Sequence, residues 1–448
     1  MEFRYIAALL LATSSFALAQ PKPPQKIFPY SYVQEDLPNG LRLITVPTDF
    51  PNIVSLYIVV NTGSRNEIES GKSGFAHLFE HLMFRGSPEY PPDLYQSELS
   101  KAGAASNAYT SDDLTAFHTT FSKDDLPRIL SMEADRFQHL AYDEPAFRTE
   151  TLAVLGEYNK NSSSPTARIS ETLRATAFST HTYRHTTMGF IKDIEAMPGE
   201  YDYSRQFFDR YYRPEYTTII VAGDVNPKQI RSLVDEGWGA WKRGSYKPEI
   251  PAEPPQDGPR TAHIDWPSAT LPYIAVAFRG PAYGDDNEET AALDAIARLG
   301  FDDNSPLYQK LVIEQQKVDF LRASPPDNLD PELFTIAARV KKPEDLPAVE
   351  QQMIATVEGF AANSVDPARL DALKKHLRYS FALGLNNSEA VAGTIARYVA
   401  LRRTPETINR YYDTYAKLTP ADIQSAARKY LIAKNRTEVT LTARGLSK

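Results

Sequence analysis

The segment 246–260, YKPEIPAEPPQDGPR, constrains the fold of this chain more than any other stretch. Rich in proline and without apolar periodicity, it reads as an extended, semi-rigid linker. On either side lie domains of similar length, 20–245 and 261–448, whose ends match. In the first, a helix over Tyr201 to Arg210 is broken at Tyr211-Tyr212-Arg213-Pro214 and followed by a strand from Thr217 to Val221. In the second, Thr419-Pro420 opens a helix that runs through Leu431, and a strand from Thr437 to Thr442 follows. The beginnings match as well: Ile53 to Val60 and Tyr273 to Phe278 are β-rich runs placed ahead of helices. Helical apolar spacing recurs over Leu126 to Leu140, Pro145 to Lys160, Ala348 to Ala362 and Pro367 to Leu385. The pattern predicts an internally duplicated α+β chain. Its two homologous α/β sandwich domains would each be a mainly antiparallel sheet with helices packed on one face.

Ahead of these domains, residues 1–19 read as an export signal. Arg4 supplies the positive start, Ile6 to Phe16 is mostly apolar, and Ala17-Leu18-Ala19 offers a cleavage site before Gln20. The run is shorter than the roughly 20 residues of a membrane span, and no later run reaches that length. The expectation is export, in a bacterium to the periplasm, with no membrane span. A formal net charge of -8, from 49 basic and 57 acidic residues, argues against nucleic acid as a partner. The absence of cysteine excludes disulfides, thiolate metal sites and cysteine nucleophiles.

Chemistry concentrates in Gly74-Phe75-Ala76-His77-Leu78-Phe79-Glu80-His81-Leu82-Met83-Phe84. On a helix, His77 and His81 stand one turn apart on one face, the spacing at which two imidazoles bind one Zn²⁺. Glu80 lies on the same side, where it can act as general base on a water at the metal. The pattern H-x-x-E-H is the inverse of H-E-x-x-H. With 8 histidines in the chain, it arises by chance in about one sequence in a hundred. The bland alternative is two ordinary histidines on an amphipathic helix, but so apolar a face leaves them in need of partners. A catalytic zinc takes three protein ligands, and the third must come from elsewhere. Glu144, Glu150 and Glu157 lie at or on the helix that begins near Pro145. Glu150 and Glu157 are two turns apart and share a face, and spacing does not choose between them. The His181/His185 pair, in a Tyr/Thr-rich loop, reads as structural.

Together with Gly63-Ser64-Arg65-Asn66-Glu67 and the continuation Arg85-Gly86-Ser87, the motif resembles the pitrilysin/insulinase-type zinc metallopeptidases. It is most similar to half-size bacterial members of their mitochondrial-processing-peptidase-like branch, and the resemblance spans nearly all of the chain after residue 19. It implies that the two domains form half of a clam-like chamber, with one Zn²⁺ per chain in the N-terminal half. It also implies Glu157 as the third ligand and Glu150 as support for the site from behind the ligands. Asn107-Ala108-Tyr109-Thr110 is similar to the family's Asn-Ala-x-Thr segment, a sheet edge on which extended substrate pairs as an added strand. That implies substrate contact at Asn107 and Ala108; by itself, Asn107 near Gly103 and Ser106 would read as a turn residue. The implied activity is endoproteolysis of short, extended, unfolded peptides, with Glu80 taking a proton from water and delivering it to the leaving amine.

One departure matters. Active single-type members carry an Arg and a Tyr seven residues apart in the C-terminal half, which reach substrate across the chamber. In register with Gly300 to Leu311, these positions fall on Val312 and Asp319. The expectation is therefore a heterodimer whose homologous partner supplies the Arg/Tyr pair, with a homodimer as second choice. A non-catalytic binding or assembly subunit of the same fold is the alternative. The intact His77, Glu80, His81 and Glu157 weigh against it.

Overall fold

The computed structural model describes residues 26–445, so the export-signal reading of 1–19 lies outside the described residues. The N-terminal half builds one sheet from β1 (Val33–Asp36), β2 (Arg42–Pro47), β3 (Ile53–Val60), β4 (Ala105–Thr110), β5 (Thr115–Ser122) and β6 (Thr217–Gly223). Its order is β1-β2-β6-β3-β5-β4, which leaves β4 at an edge. The C-terminal half builds a second sheet from β7 (Arg260–Trp266), β8 (Tyr273–Arg279), β9 (Val318–Ser324), β10 (Leu333–Val340) and β11 (Arg436–Ala443), in the order β7-β11-β8-β10-β9. Set β1 aside and the two orders coincide strand for strand. Each sheet carries one parallel pair, β2 with β6 and β7 with β11; the other pairings are antiparallel. Residues 241–259, between the sheets, form neither helix nor strand.

Strand β3 shows how the sequence sets the layers. It is apolar at nearly every position, and successive residues point to opposite faces. Val54, Leu56, Ile58 and Val60 join one core, whereas Tyr57 and Val59 join another. A strand that reads as a continuous apolar run is one covered on both sides. Each half keeps its own core helices on one face of its sheet, as expected, and the second face is covered from the other half.

The helices that cover the second faces are exchanged. Helix α1 (Phe75–Leu82) packs on the inner face of its own sheet through Leu78, Phe79 and Leu82. Helix α2 (Glu144–Ser162) crosses it, and α3 (Pro165–Ala177) leaves for the other half. There Ile169, Leu173 and Ala177 meet Ala275, Ala277, Val439 and Leu441 on the outer face of the C-terminal sheet. The inner face of that sheet is filled by α4 (Glu288–Phe301), with Leu293 and Ile296 against Ile274, Val276 and Phe278. In return α5 (Ser388–Arg402) lays Val391, Ile395 and Val399 over Ile44, Val46, Tyr57 and Ile220 of the N-terminal sheet. Full burial of such side chains contributes roughly 1.5–3 kcal/mol each, so the exchange ties the halves into one body.

A polar contact joins the halves at the β4–β5 tip, where Asp112 and Asp113 are buried beside Arg174 of α3, Tyr183 and residues 328–332. Burial pushes the carboxyls of Asp113, Glu332 and Glu67 up to about 6, about 7 and about 8. All three therefore hold protons in the folded state at a pH where the unfolded chain, titrating near 4, has released them. Their contribution to stability is complete below pH 4 and is lost as pH rises through 6 to 8. In chelator, the melting temperature is expected to fall between pH 6.5 and 8 and to level off above. Glu332→Gln is expected to shrink that fall, and an unchanged slope in a thermal-melt series would contradict the assignment.

Candidate metal centre

Helix α1 begins at Gly74, whose φ of +95° is left-handed; a Cβ there would lie 2.9 Å from the carbonyl oxygen of Met188. The exposed amides of the first turn are taken by one buried carboxyl group. Glu67 accepts from Gly74 N at 2.8 Å and from Ala76 N at 2.7 Å, so its two oxygens cap the otherwise unpaired amides of the first turn. Helix α2 starts on Asp143, whose side chain accepts from Ala146 N at 2.8 Å, with Pro145 in its first turn. These two starts fix which turns of α1 and α2 face one another.

Where they meet, His77, His81 and Glu157 converge. Among the described residues they form the one group of at least three possible metal ligands, with one donor atom of each within 4.8 Å of the others. Glu157 Oε2 lies 3.5 Å from His77 Nε2 and 3.5 Å from His81 Nε2. A tetrahedral ion with bonds of about 2.0–2.1 Å needs ligand atoms about 3.4 Å apart, so this set fits zinc. The protonation state of His77 fits as well. Burial, then the nearby His81, lowers the His77 pKa and favours the neutral imidazole that a metal needs.

Glu150, one face-repeat before Glu157, stands 3.4 Å from His81 Nδ1 and is held on its other side by Arg85. The hydrogen bond from His81 heads the causes that lower the Glu150 pKa, and the same bond raises that of His81. A carboxylate behind a ligating imidazole fixes the ring and its tautomer. His77 has no such support: its Nδ1 is buried with no hydrogen-bond partner among the described residues.

Glu80 leans toward the sheet edge, where the Thr110 hydroxyl donates to Oε2 at 2.7 Å. Thr110 ends β4, the edge strand that carries Asn107 and Ala108. Asn107 sits on a strand, not in a turn, paired opposite His118; its side-chain oxygen accepts from Ala108 N at 2.9 Å. Thr110, Arg85 and Glu67 all lie in segments that the sequence singles out, yet nothing in their spacing assigns these contacts. The positions Val312 and Asp319 lie in the other half. Val312 belongs to the helical turn Gln309–Glu314, and Asp319, on β9, is bound by Arg339 at 2.8 Å. His181 is held at 2.9 Å by Asp330, and His185 Nδ1 meets the Thr186 carbonyl at 2.9 Å.

Two imidazoles from one helix and a carboxylate from a second, beside another carboxylate and an open strand edge, make the frame of a metallopeptidase. Comparison with known proteins agrees. Residues 43–190 match the family described as Insulinase (Peptidase family M16), and residues 200–377 match Peptidase M16 inactive domain. The chain belongs to the M16 insulinase family of zinc peptidases. It is 27% identical to the zinc protease PqqE of Helicobacter pylori over 90% of this chain and 91% of that one. It is 24% identical to the mitochondrial-processing peptidase subunit beta of Caenorhabditis elegans, over 90% and 88%. The crystal structure of a protease from Helicobacter pylori superposes with a TM-score of 0.86 at 26% identity, covering 92% of this chain and 99% of that one. The first half of the periplasmic protease PqqL from Escherichia coli shares the fold at 18% identity, with a TM-score of 0.74 over 95% and 94%.

Proposed function

We propose that the chain is a zinc endopeptidase subunit acting on short, extended, unfolded peptides, with one Zn²⁺ held by His77, His81 and Glu157. The convergence of these three side chains beside Glu80 and the β4 edge carries the reading. Zinc held there supplies Lewis acidity, which makes water a competent nucleophile near neutral pH. Glu80 takes the proton of that water and passes it to the leaving amine. Thr110 keeps the Glu80 carboxylate aimed while it does so. Glu150, backed by Arg85, orients His81. The β4 edge presents backbone groups to an incoming strand, and Asn107 and Ala108 line the place where it pairs. Backbone pairing demands an extended substrate and little sequence.

The C-terminal half offers Val312 and Asp319 where an Arg and a Tyr would be needed to stabilise the oxyanion. We infer that a homologous subunit supplies them and that this chain forms half of the chamber. The likeness to a processing-peptidase subunit supports a heterodimer, with a homodimer as the second reading. Export to the periplasm is supported by the N-terminal residues and by the likeness to the periplasmic protease PqqL of Escherichia coli. The domain limits follow the same reading: 20–245 bears the metal, 246–260 links, and 261–448 completes the chain. The test is digestion of a peptide library by the purified chain, alone and with candidate partners, with and without chelator. Cleavage is expected to be chelator-sensitive. Because removing one oxyanion donor costs about 10²–10³ in rate, the partner is expected to raise turnover by at least about a hundredfold. Full turnover by the lone chain would reject the division of labour. Cleavage that survives chelation would reject the zinc mechanism.

A further inference from the structure

Every residue proposed for the metal and the base lies in the N-terminal half, yet the strand that steadies Glu80 is gripped partly from the C-terminal half. We infer that the β4–β5 tip, residues 111–114, is a strut through which the C-terminal half positions Glu80, with Ser64, Asp112, Asp113, Arg174 and Tyr183 as its positioning residues. The inference rests on Glu80 being the general base.

Thr110 is the last residue of β4 and gives its hydroxyl to Glu80. The next residues turn back into β5, and each aspartate of the turn is tied outward. Asp112 accepts from Ser64 Oγ at 2.8 Å, from Arg174 Nη2 at 2.7 Å and Nη1 at 3.2 Å, and from Asn328 Nδ2 at 3.5 Å. Asp113 accepts from the Tyr183 hydroxyl at 2.7 Å and from the backbone amide of Leu329 at 3.0 Å. Asp330 N donates in turn to the Tyr183 hydroxyl at 3.3 Å. The tip backbone is caught as well, by Ser64 N on Ser111 O at 3.3 Å and Arg65 N on Asp112 O at 2.8 Å.

These bonds are out of proportion to what a surface turn needs. Charged acceptors shielded from water make strong, directional hydrogen bonds, and both aspartates are buried. An edge strand has a ladder on one side only, so its end is free to swing unless something beyond it is fixed. The segment 328–330 belongs to the half whose matching family is described as inactive. It makes no contact with the ligand set, but it fixes the end of β4. A shift of about 1 Å at Thr110 would be felt by Glu80, and misplacements of that size cost about 10²-fold in rate.

Tyr183→Phe tests this, because it deletes the hydroxyl and keeps a ring that packs in the core under α3. In metal-free protein, amide exchange over 105–114 is expected to rise severalfold while exchange over 75–82 stays unchanged. In the zinc-loaded chain, kcat is expected to fall about tenfold with KM within twofold and zinc content unchanged. Thr110→Val is expected to lower kcat similarly, and adding Tyr183→Phe to it should change kcat by less than twofold, because both act on one contact. Asn328→Ala, which removes the side-chain contact that the C-terminal half makes with Asp112, is expected to repeat the pattern if Tyr183→Phe proves poorly folded. Unchanged exchange over 105–114, or losses that multiply in the double variant, would overturn the strut. A wild-type chain with no chelator-sensitive cleavage would defeat the peptidase reading, while the exchange measurement would still decide the strut.

Discussion

Glu80→Gln is expected to leave zinc binding intact and to reduce peptide turnover by about 10²–10⁴-fold, the range that a positioned acid–base group supplies. The substitution keeps size and lets the amide accept from Thr110, whose hydroxyl lies 2.7 Å from Oε2. It removes only the ability to take and return a proton. Metal analysis together with initial rates on an unstructured peptide would check it. Near-wild-type turnover would remove Glu80 from the mechanism, and loss of zinc would make it a ligand instead.

The second large effect separates two carboxylates that spacing leaves equivalent. Glu157→Gln is expected to abolish tight zinc binding, as are His77→Ala and His81→Ala, because Glu157 Oε2 is the atom equidistant from both imidazoles at 3.5 Å. Glu150→Gln is expected to weaken zinc by about 10–100-fold, the usual effect of removing the carboxylate behind a ligating histidine. It would leave a single acceptor oxygen for the two donors His81 Nδ1 and Arg85 and set an NH2 group against the other. Zinc affinities measured by competition with a chelator of known strength would rank the variants. Were Glu150→Gln to lose the metal and Glu157→Gln to keep it, the two roles would be exchanged.

Much of this was legible from the chain because it depends on local pattern. The H-x-x-E-H spacing needs only a helix to bring His77 and His81 to one face, and the seven-residue interval does the same for Glu150 and Glu157. The strand readings over Ile53 to Val60 and Tyr273 to Phe278 match β3 and nearly all of β8 (Tyr273–Arg279) because β-branched and aromatic runs leave little alternative. Long-range arrangement was less legible. Helices α3 and α5 look like ordinary amphipathic helices, and nothing in their spacing says which sheet they will cover. The signal was present in the strands: β3 and β6 (Thr217–Gly223) have too few polar positions for a sheet with one wet face. Thr110 was invisible for a different reason. A hydroxyl that holds a carboxylate has no preferred sequence interval, since the partner is on a helix some 30 residues earlier.

The trade of α3 for α5 has a consequence for how such a chain can be divided. A fragment ending in the linker would carry the complete metal site and still expose Ile44, Val46, Val59 and Ile220 to water, since the residues that roof them are encoded beyond residue 380. The residues proposed for catalysis are local in sequence, but the cover over their sheet comes from the distant end of the polypeptide. The smallest viable unit is thus the whole two-part body, and a nick in the proline-rich connection would be better tolerated than the loss of either side.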